Sequence, residues 1–329
     1  MRIKSLLTKN RIGFYMVLLS LLLNSCDTFH DDIDSCSLYL RFKYEHNMKK
    51  KDLFAERIKR VDVFFFDPNG ILQEHLSAEG EILANPQYRM DITSLPRNNY
   101  QIVTWAGICN DYQLDFKKGE TNINDFRLKL AYEDRLKDGI YLQSHSDLWH
   151  DTLSVERRDW KNLTKDVNLI KNTNFFHISL GSDDRTFNKD QLSEYVFQIT
   201  TDNGEYDYKN DPATKTELVY GPYNYSKFDS LENKAVDESR WLANINTMRI
   251  LENQPAKLTV RSKNNQLVAN IDLMYYIKEG IYQSEGQGIS FAEYLDRQDH
   301  FYIHFEISNY MAVSITINGW TTWLHNTDL

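Results

Sequence analysis

The chain has 329 residues, with 38 Lys and Arg against 47 Asp and Glu and a formal net charge of −9. An excess of acid this large argues against a nucleic-acid partner, because neutralising phosphates needs a basic surface. Its length suits two domains of ordinary size, and 20 Tyr and 17 Phe with only 6 Pro favour strands over helices.

Arg2, Lys4, Lys9 and Arg11 form a basic start without an acidic residue, followed by an apolar run from Ile12 to Leu23. This is the pattern of a secretory signal. As a helix the run covers roughly 18 Å, short of the ~30 Å hydrocarbon core that a spanning helix must cross. It ends in Leu23-Asn24-Ser25-Cys26, which resembles a bacterial lipobox. That resemblance implies a diacylglycerol on the Cys26 thiol, cleavage before Cys26 and acylation of the new amine. A plain signal peptide with a chance cysteine is the alternative. Removing residues 1–25 leaves 34 basic residues against 47 acidic ones, a net −13. Two or three acyl chains, at ~0.8 kcal/mol per buried CH₂, would hold the product at a bilayer.

Residues 26–35, with Asp27, Asp31, Asp32 and Asp34, read as an acidic tether. They also resemble the surface-export signal of Bacteroidetes lipoproteins. Cys36 and Cys109 are the cysteines that remain after lipidation, and they are candidates for a disulfide. Two separate buried thiols is the alternative.

From Cys36 onward alternation dominates. Leu38, Leu40, Phe42 and Tyr44 predict a first strand with one core face. Lys49 to Glu56 reads as a loop or short helix. Ile58 to Phe66 predicts a strand that turns at Asp67-Pro68-Asn69-Gly70 into Ile71 to Leu76. A calcium loop at Asp67 and Asn69 is set aside, since further oxygen ligands are missing. Strands follow at Met90 to Ile92 and Tyr100 to Ala106, divided by a turn at residues 95–99 in which Asn98 and Asn99 would take the left-handed conformation. Phe126 to Tyr132 predicts another strand. Asp134 to Asp151 reads as an irregular crossing, with His145 and His150 as solvated histidines in preference to metal ligands.

A boundary falls after the charged stretch at residues 156–161, dividing a first domain, 36–163, from a second, 164–329. Beyond it, Phe175 to Leu180 and Tyr195 to Thr201 predict strands, the latter closed by Asp202-Asn203-Gly204 as a hairpin turn. The polar run to Asn233 reads as a surface excursion. Ile245 to Leu251 and a hairpin from Leu258 across Lys263-Asn264-Asn265 to Leu273 follow. Ser290 and Glu293 predict a capped short helix. Phe301 to Ile307 turns at Asn309-Tyr310 into Met311 to Ile317, and Asn318-Gly319-Trp320 ends the pattern. His300 and His304 share a strand face and read as ordinary sheet residues. The pattern as a whole predicts an all-β chain of two tandem antiparallel β-sandwiches.

No G-x-S-x-G, H-E-x-x-H, C-x-x-C, P-loop or dinucleotide fingerprint occurs. We therefore expect no enzyme, no catalytic or metal residues and no cofactor, although 47 acids leave a glycosidase-type carboxylate pair open.

The order of Cys36, Leu38 to Tyr44, VDVFFFDPNG at Val61 to Gly70, LPRNNYQIVTWAG at Leu95 to Gly107, Ser146 to His150, Val167-Asn168-Leu169 and Ile315 to Trp320 resembles the FimB/Mfa2 family, the fimbrial anchor proteins of Bacteroidales. The resemblance implies transthyretin-like sandwiches and outer-membrane attachment, with the chain bound to a fimbrial stalk pilin subunit at the fimbria base and limiting polymer length. The terminal hairpin, Phe301 to Trp320, is either a partner contact or ordinary core. The alternative function is a surface glycan-binding lipoprotein, with Trp149, Trp160 or Trp241 stacking on sugar rings.

Overall fold

The computed structural model describes residues 37–156, 163–182, 185–227, 240–282 and 288–324. Cys26 with the leader and tether, Cys36 and Trp160 lie outside these residues.

The first half of the chain forms β1 (Leu38–Lys43), β2 (Arg60–Phe66), β3 (Leu72–Glu79), β4 (Met90–Asp91), β5 (Tyr100–Ala106) and β6 (Tyr112–Leu114). It continues with β7 (Leu128–Leu130), β8 (Leu136–Lys137), β9 (Ile140–Tyr141), β10 (Trp149–Val155), β11 (Leu163–Asn168) and β12 (Ile170–Lys171). The second half opens with β13 (Thr173–Ser182), β14 (Arg185–Thr186), β15 (Tyr195–Thr201), β16 (Glu205–Tyr206), β17 (Leu218–Tyr220) and β18 (Asn224–Lys227). It closes with β19 (Trp241–Met248), β20 (Ala256–Ser262), β21 (Leu267–Asp272), β22 (His300–Ser308), β23 (Met311–Ile317) and β24 (Trp320–Trp323). Among the described residues four short α-helices join them: α1 (Phe54–Arg57), α2 (Lys189–Leu192), α3 (Leu273–Ile277) and α4 (Phe291–Arg297).

The chain is all-β, as expected. A sheet in the order β11-β1-β4 faces one in the order β12-β10-β5-β2-β3, and Leu38, Leu40, Phe42, Val61, Val63 and Phe65 fill the space between them. Alternation in β1 puts three side chains, each at most 3% exposed, on one face. In β2 both faces are buried, because Phe64 and Phe66 pack on the far side against Phe126, at 4.8 and 5.2 Å between centroids. Burying such a ring contributes about 2–3 kcal/mol. The second sandwich stacks β21-β20-β15-β17-β9-β8 on the sheet running from β18 through β19, β13, β22 and β23 to β24. Phe176, Ile178, Phe197, Ile199, Leu258 and Ile303 meet in its core.

The two halves interlock. All of β11 but its first residue, Leu163, lies beyond the expected boundary at 163/164, yet the strand pairs in parallel with β1, and Val167 and Leu169 belong to the first core. In return, β9 crosses to pair in parallel with β17, and β16 pairs with β7. Sheet membership thus changes several times along the chain, and one apolar cluster runs from Phe64 and Trp105 to Ile317.

Several local expectations change. Asn98 and Asn99 are absent from the positive-φ residues; the turn is instead held by Tyr100 Oη donating to the Pro96 carbonyl at 2.9 Å. Asp202-Asn203-Gly204 is not a tight hairpin, since β15 pairs with β17 and β20. The Asn203 amide is buried and donates to the carbonyls of Met248 and Arg249. The polar run after it is not a surface excursion throughout, because Tyr206 and Tyr220 are fully buried. Asn318-Gly319 does not end the pattern but turns β23 into β24.

Ser290 caps α4 as expected, its Oγ accepting from the Glu293 N–H at 3.1 Å. Glu293 does not complete the reciprocal half of a capping box; its carboxylate pairs with Arg297 at 2.7 Å. Ser290→Ala is expected to lower stability by about 1 kcal/mol, read as a shifted urea midpoint at unchanged slope.

Candidate functional site

The sandwiches meet over a cleft of about 260 Å³, lined by the loop after β1, the start of β10, β12 and the junction of α4 with β22. At its centre is Lys171, whose side chain is 5% exposed. Its ammonium lies 2.6 Å from Asp299 Oδ2 and 3.0 Å from Asp147 Oδ1, and 4.8 Å from the Phe175 ring centroid. Asp147 Oδ1 also accepts from Thr173 Oγ1. Burial pushes the Asp299 carboxyl up, but Lys171 and then His300 outweigh it, and its pKa stays below the ordinary carboxylate value. On the facing wall Tyr44 meets Trp149 edge-on at 5.8 Å, and Arg297 Nη1 donates across the cleft to the Glu45 carbonyl at 3.0 Å. Lys171 and Asp299 are 128 residues apart, so nothing local in the sequence announces this cluster.

His145 and His150 are 4% and 3% exposed, not solvated, and burial draws their pKa values down to about 4 and about 3. His150 sits in β10, part of what reads as an irregular crossing, and its Nε2 donates to the Tyr208 carbonyl. His300 Nδ1 lies 3.1 Å from His177 Nε2, and His304 Nδ1 lies 2.9 Å from Ser179 Oγ, within the sheet. Among the described residues no group of His, Cys, Asp and Glu is placed to hold a metal. Asp67 caps its turn, Oδ1 accepting from the N–H groups of Asn69 and Ile71.

Next to His150, burial raises the Asp151 carboxyl to about 6 against the opposing hydrogen bonds from Asn168 and Thr152. The folded state therefore binds the proton more tightly than the unfolded chain, and Asp151 costs stability as pH rises from about 4 to about 6. The stability of Asp151→Asn minus that of wild type is expected to grow across this window, by up to ~1 kcal/mol per pH unit, and to level off above it. Urea denaturation across that range reads the difference.

Cys109 is exposed, with Sγ 3.5 Å from Asp111 Oδ2. Of the three tryptophans of the glycan reading, Trp149 is 3% exposed and Trp241 is partly covered, with Lys189 and Lys227 near its ring. In the terminal hairpin Phe301 and Phe305 are fully buried core, whereas Tyr310 is 70% exposed, as is Trp323, at 73%, just beyond it in β24. No helix among the described residues is long and apolar enough to cross a membrane.

Two interlocked β-sandwiches meeting over a small cleft define the class: two-sandwich all-β proteins. A structure provisionally described as a polysaccharide-binding protein from Bacteroides thetaiotaomicron is similar, at 27% identity and a TM-score of 0.76, covering 90% of this chain and 100% of the other. A provisionally described adhesin from Bacteroides ovatus is similar at 25% identity and a TM-score of 0.74, covering 92% and 100%. The fimbrial anchor protein Mfa2 from Porphyromonas gingivalis shares the fold at 20% identity and a TM-score of 0.64, covering 88% and 99%. No curated protein matches by sequence. The model for the Fimbrillin-A associated anchor proteins Mfa1 and Mfa2 matches residues 33–326, and the chain belongs to that family. Membership assigns it a fimbrial anchor or adhesin role at the cell envelope.

Proposed function

We propose that this chain is a non-enzymatic outer-membrane lipoprotein that fastens a fimbria to the cell surface through acylated Cys26, grips the base pilin and limits polymer length. The observation that carries the reading is the extent of the family match, which begins at residue 33, just past a leader that ends in Cys26. The matched body and the lipid signal abut. An anchor needs a bilayer grip at one end and a rigid body at the other. The interlocked cores supply rigidity, since β9 and β16 cannot leave their sheets without breaking hydrogen bonds in the opposite half. Bound at the base, such a body ends the polymer because its far side is committed to the membrane.

The tryptophan-platform version of glycan binding has less support, because Trp149 is only 3% exposed. Cys26→Ala is expected to release the protein and its fimbriae into the medium, measured by fractionation and electron microscopy. Fimbriae that remain attached at normal length in that variant would rule the reading out.

A further inference from the structure

We infer that the far end of the second sandwich, centred on Tyr310 at the β22–β23 turn, is the surface that grips the fimbrial stalk subunit, by seating this tyrosine in an apolar groove of that partner. The inference rests on the anchor reading and names the contact that reading leaves open. Strand directions place this end opposite the lipid. The segment that carries Cys26 joins the described chain at Ser37, just before β1. β1 runs from there toward the junction of the sandwiches, where Tyr44 meets Trp149, and β11 runs parallel to it. The chain then passes through β12 into β13, which leaves the junction at Thr173, and β22 runs parallel to β13 from His300 to Ser308. At about 3.3 Å per residue, that strand ends roughly 26 Å beyond the cleft.

Tyr310 occupies a conformation that its side chain does not favour. Ser308 pairs with Met311, so Asn309 and Tyr310 form a two-residue turn, with φ +52° and +67°. Such a turn asks for φ > 0 at both positions, which Asn-Gly supplies best. The next turn of the same sheet uses Asn318-Gly319, at +46° and +94°. Tyrosine in the left-handed region is uncommon, because its Cβ crowds the following backbone. The ring gives the fold little in return, being 70% exposed. A residue held against its backbone preference, with no burial to offset the strain, points to a contact made outside this chain.

Apolar side chains of both sheets surround it. Met311 follows in β23 at 38% exposed, and Val196, at 46%, lies near the start of β15 in the facing sheet. Beside Val196, Tyr195 packs on Phe187 with ring centroids 5.7 Å apart. The Tyr195 pKa is raised first by burial, then by Glu194 and Tyr310, so the tip of one sheet reaches the edge of the other. Trp323, 73% exposed, lies in β24 opposite Ser314, three residues along from Met311. Tyrosine, methionine and tryptophan are the residue types enriched at the dry centres of protein interfaces. A projecting tip enters a groove on another protein, whereas a small ligand needs a concave site. Facing away from the lipid, it meets what is assembled outside the cell.

Tyr310→Gly tests this, because it relieves the turn while removing the ring. In cells, the full chain carrying it is expected to stay with the outer membrane while fimbriae appear in the medium, and its urea midpoint is expected to match or exceed that of wild type. The purified mature variant should bind stalk subunits taken from detached fimbriae about tenfold more weakly than wild type, and Tyr310→Phe, which keeps the ring, should bind as wild type does. Normal fimbrial retention or equal binding by Tyr310→Gly, a lowered midpoint, or Tyr310-dependent binding of the mature chain to phosphatidylethanolamine vesicles would each overturn the inference. Cys26→Ala separates the two readings. If it releases fimbriae while Tyr310→Gly retains them, only the contact surface is wrong; if it retains them, the anchor reading fails as well.

Discussion

Lys171→Ala is expected to destabilise the protein by about 3–5 kcal/mol, the cost of breaking a buried ion cluster by removing one partner. The truncation strands Asp147 and Asp299 together without their shared cation and also removes the cation over Phe175. The size of the loss carries a pH signature. In wild type the Asp299 carboxyl, although raised by burial, is held below its ordinary value chiefly by Lys171. A depressed carboxylate contributes stability above its unfolded pKa of ~3.9 and loses it as pH falls through the folded value. Without Lys171 that contribution disappears, so the gap between variant and wild type should be widest near neutrality and narrow below about pH 4. Urea denaturation at several pH values measures it. A gap that does not change with pH would show that lost packing, not stranded charge, is responsible. Replacing Asp147, Lys171 and Asp299 together by Asn, Met and Asn should recover much of the loss, because it removes the charges along with their partner.

The second large effect is expected at Gly107, which closes β5 with φ +89°. Its N–H donates to the Arg60 carbonyl at 2.9 Å, and a Cβ there would run into the backbone carbonyl oxygen of Asp147. A side chain would thus meet both an unfavourable backbone conformation and a rigid neighbour that cannot rotate away. Gly107→Ala is expected to cost about 3 kcal/mol or more, and because Asp147 is the neighbour displaced, to loosen the Lys171 cluster as well. Gly119 has φ +78° but nothing near its missing Cβ, so Gly119→Ala isolates the backbone cost at about 1 kcal/mol. Equal midpoints for the two variants in urea denaturation would refute the steric account.

The resemblance to fimbrial anchors, read from motifs scattered between Cys36 and Trp320, agrees with the family match over residues 33–326. Individual strands were legible wherever one face meets water. β1, the β20–β21 hairpin and the β22–β23 hairpin all alternate, and their turns carry the residues that positive φ requires, Asn265 at +62° and Asn309 at +52°. β10 was not legible, because Trp149 and His150 are both buried while Asp151 to Leu153 are only partly covered and Ser154 is exposed, so no period-2 alternation runs along it. His145 and His150 looked solvated for the same reason: a polar residue in an irregular stretch carries no sign of what another part of the chain will lay over it.

The division into halves shows the limit most clearly. Composition places a boundary near residue 163, but β11 returns to β1 and β9 reaches forward to β17. Strand pairing between distant segments is set by which edges remain open after local hairpins form, and that is not a property of any window of sequence.

What the sequence alone determined was therefore short-range: strands with their turns, and an acidic balance. Each follows from spacing, composition or the conformational limits of one or two residues. Only the tertiary structure decided that the halves interlock, that Trp149 is buried, and that Lys171, Asp147 and Asp299 converge in a cleft beside Asn47. Those outcomes depend on contacts across more than a hundred residues, where burial and charge are settled by neighbours that the local sequence does not contain.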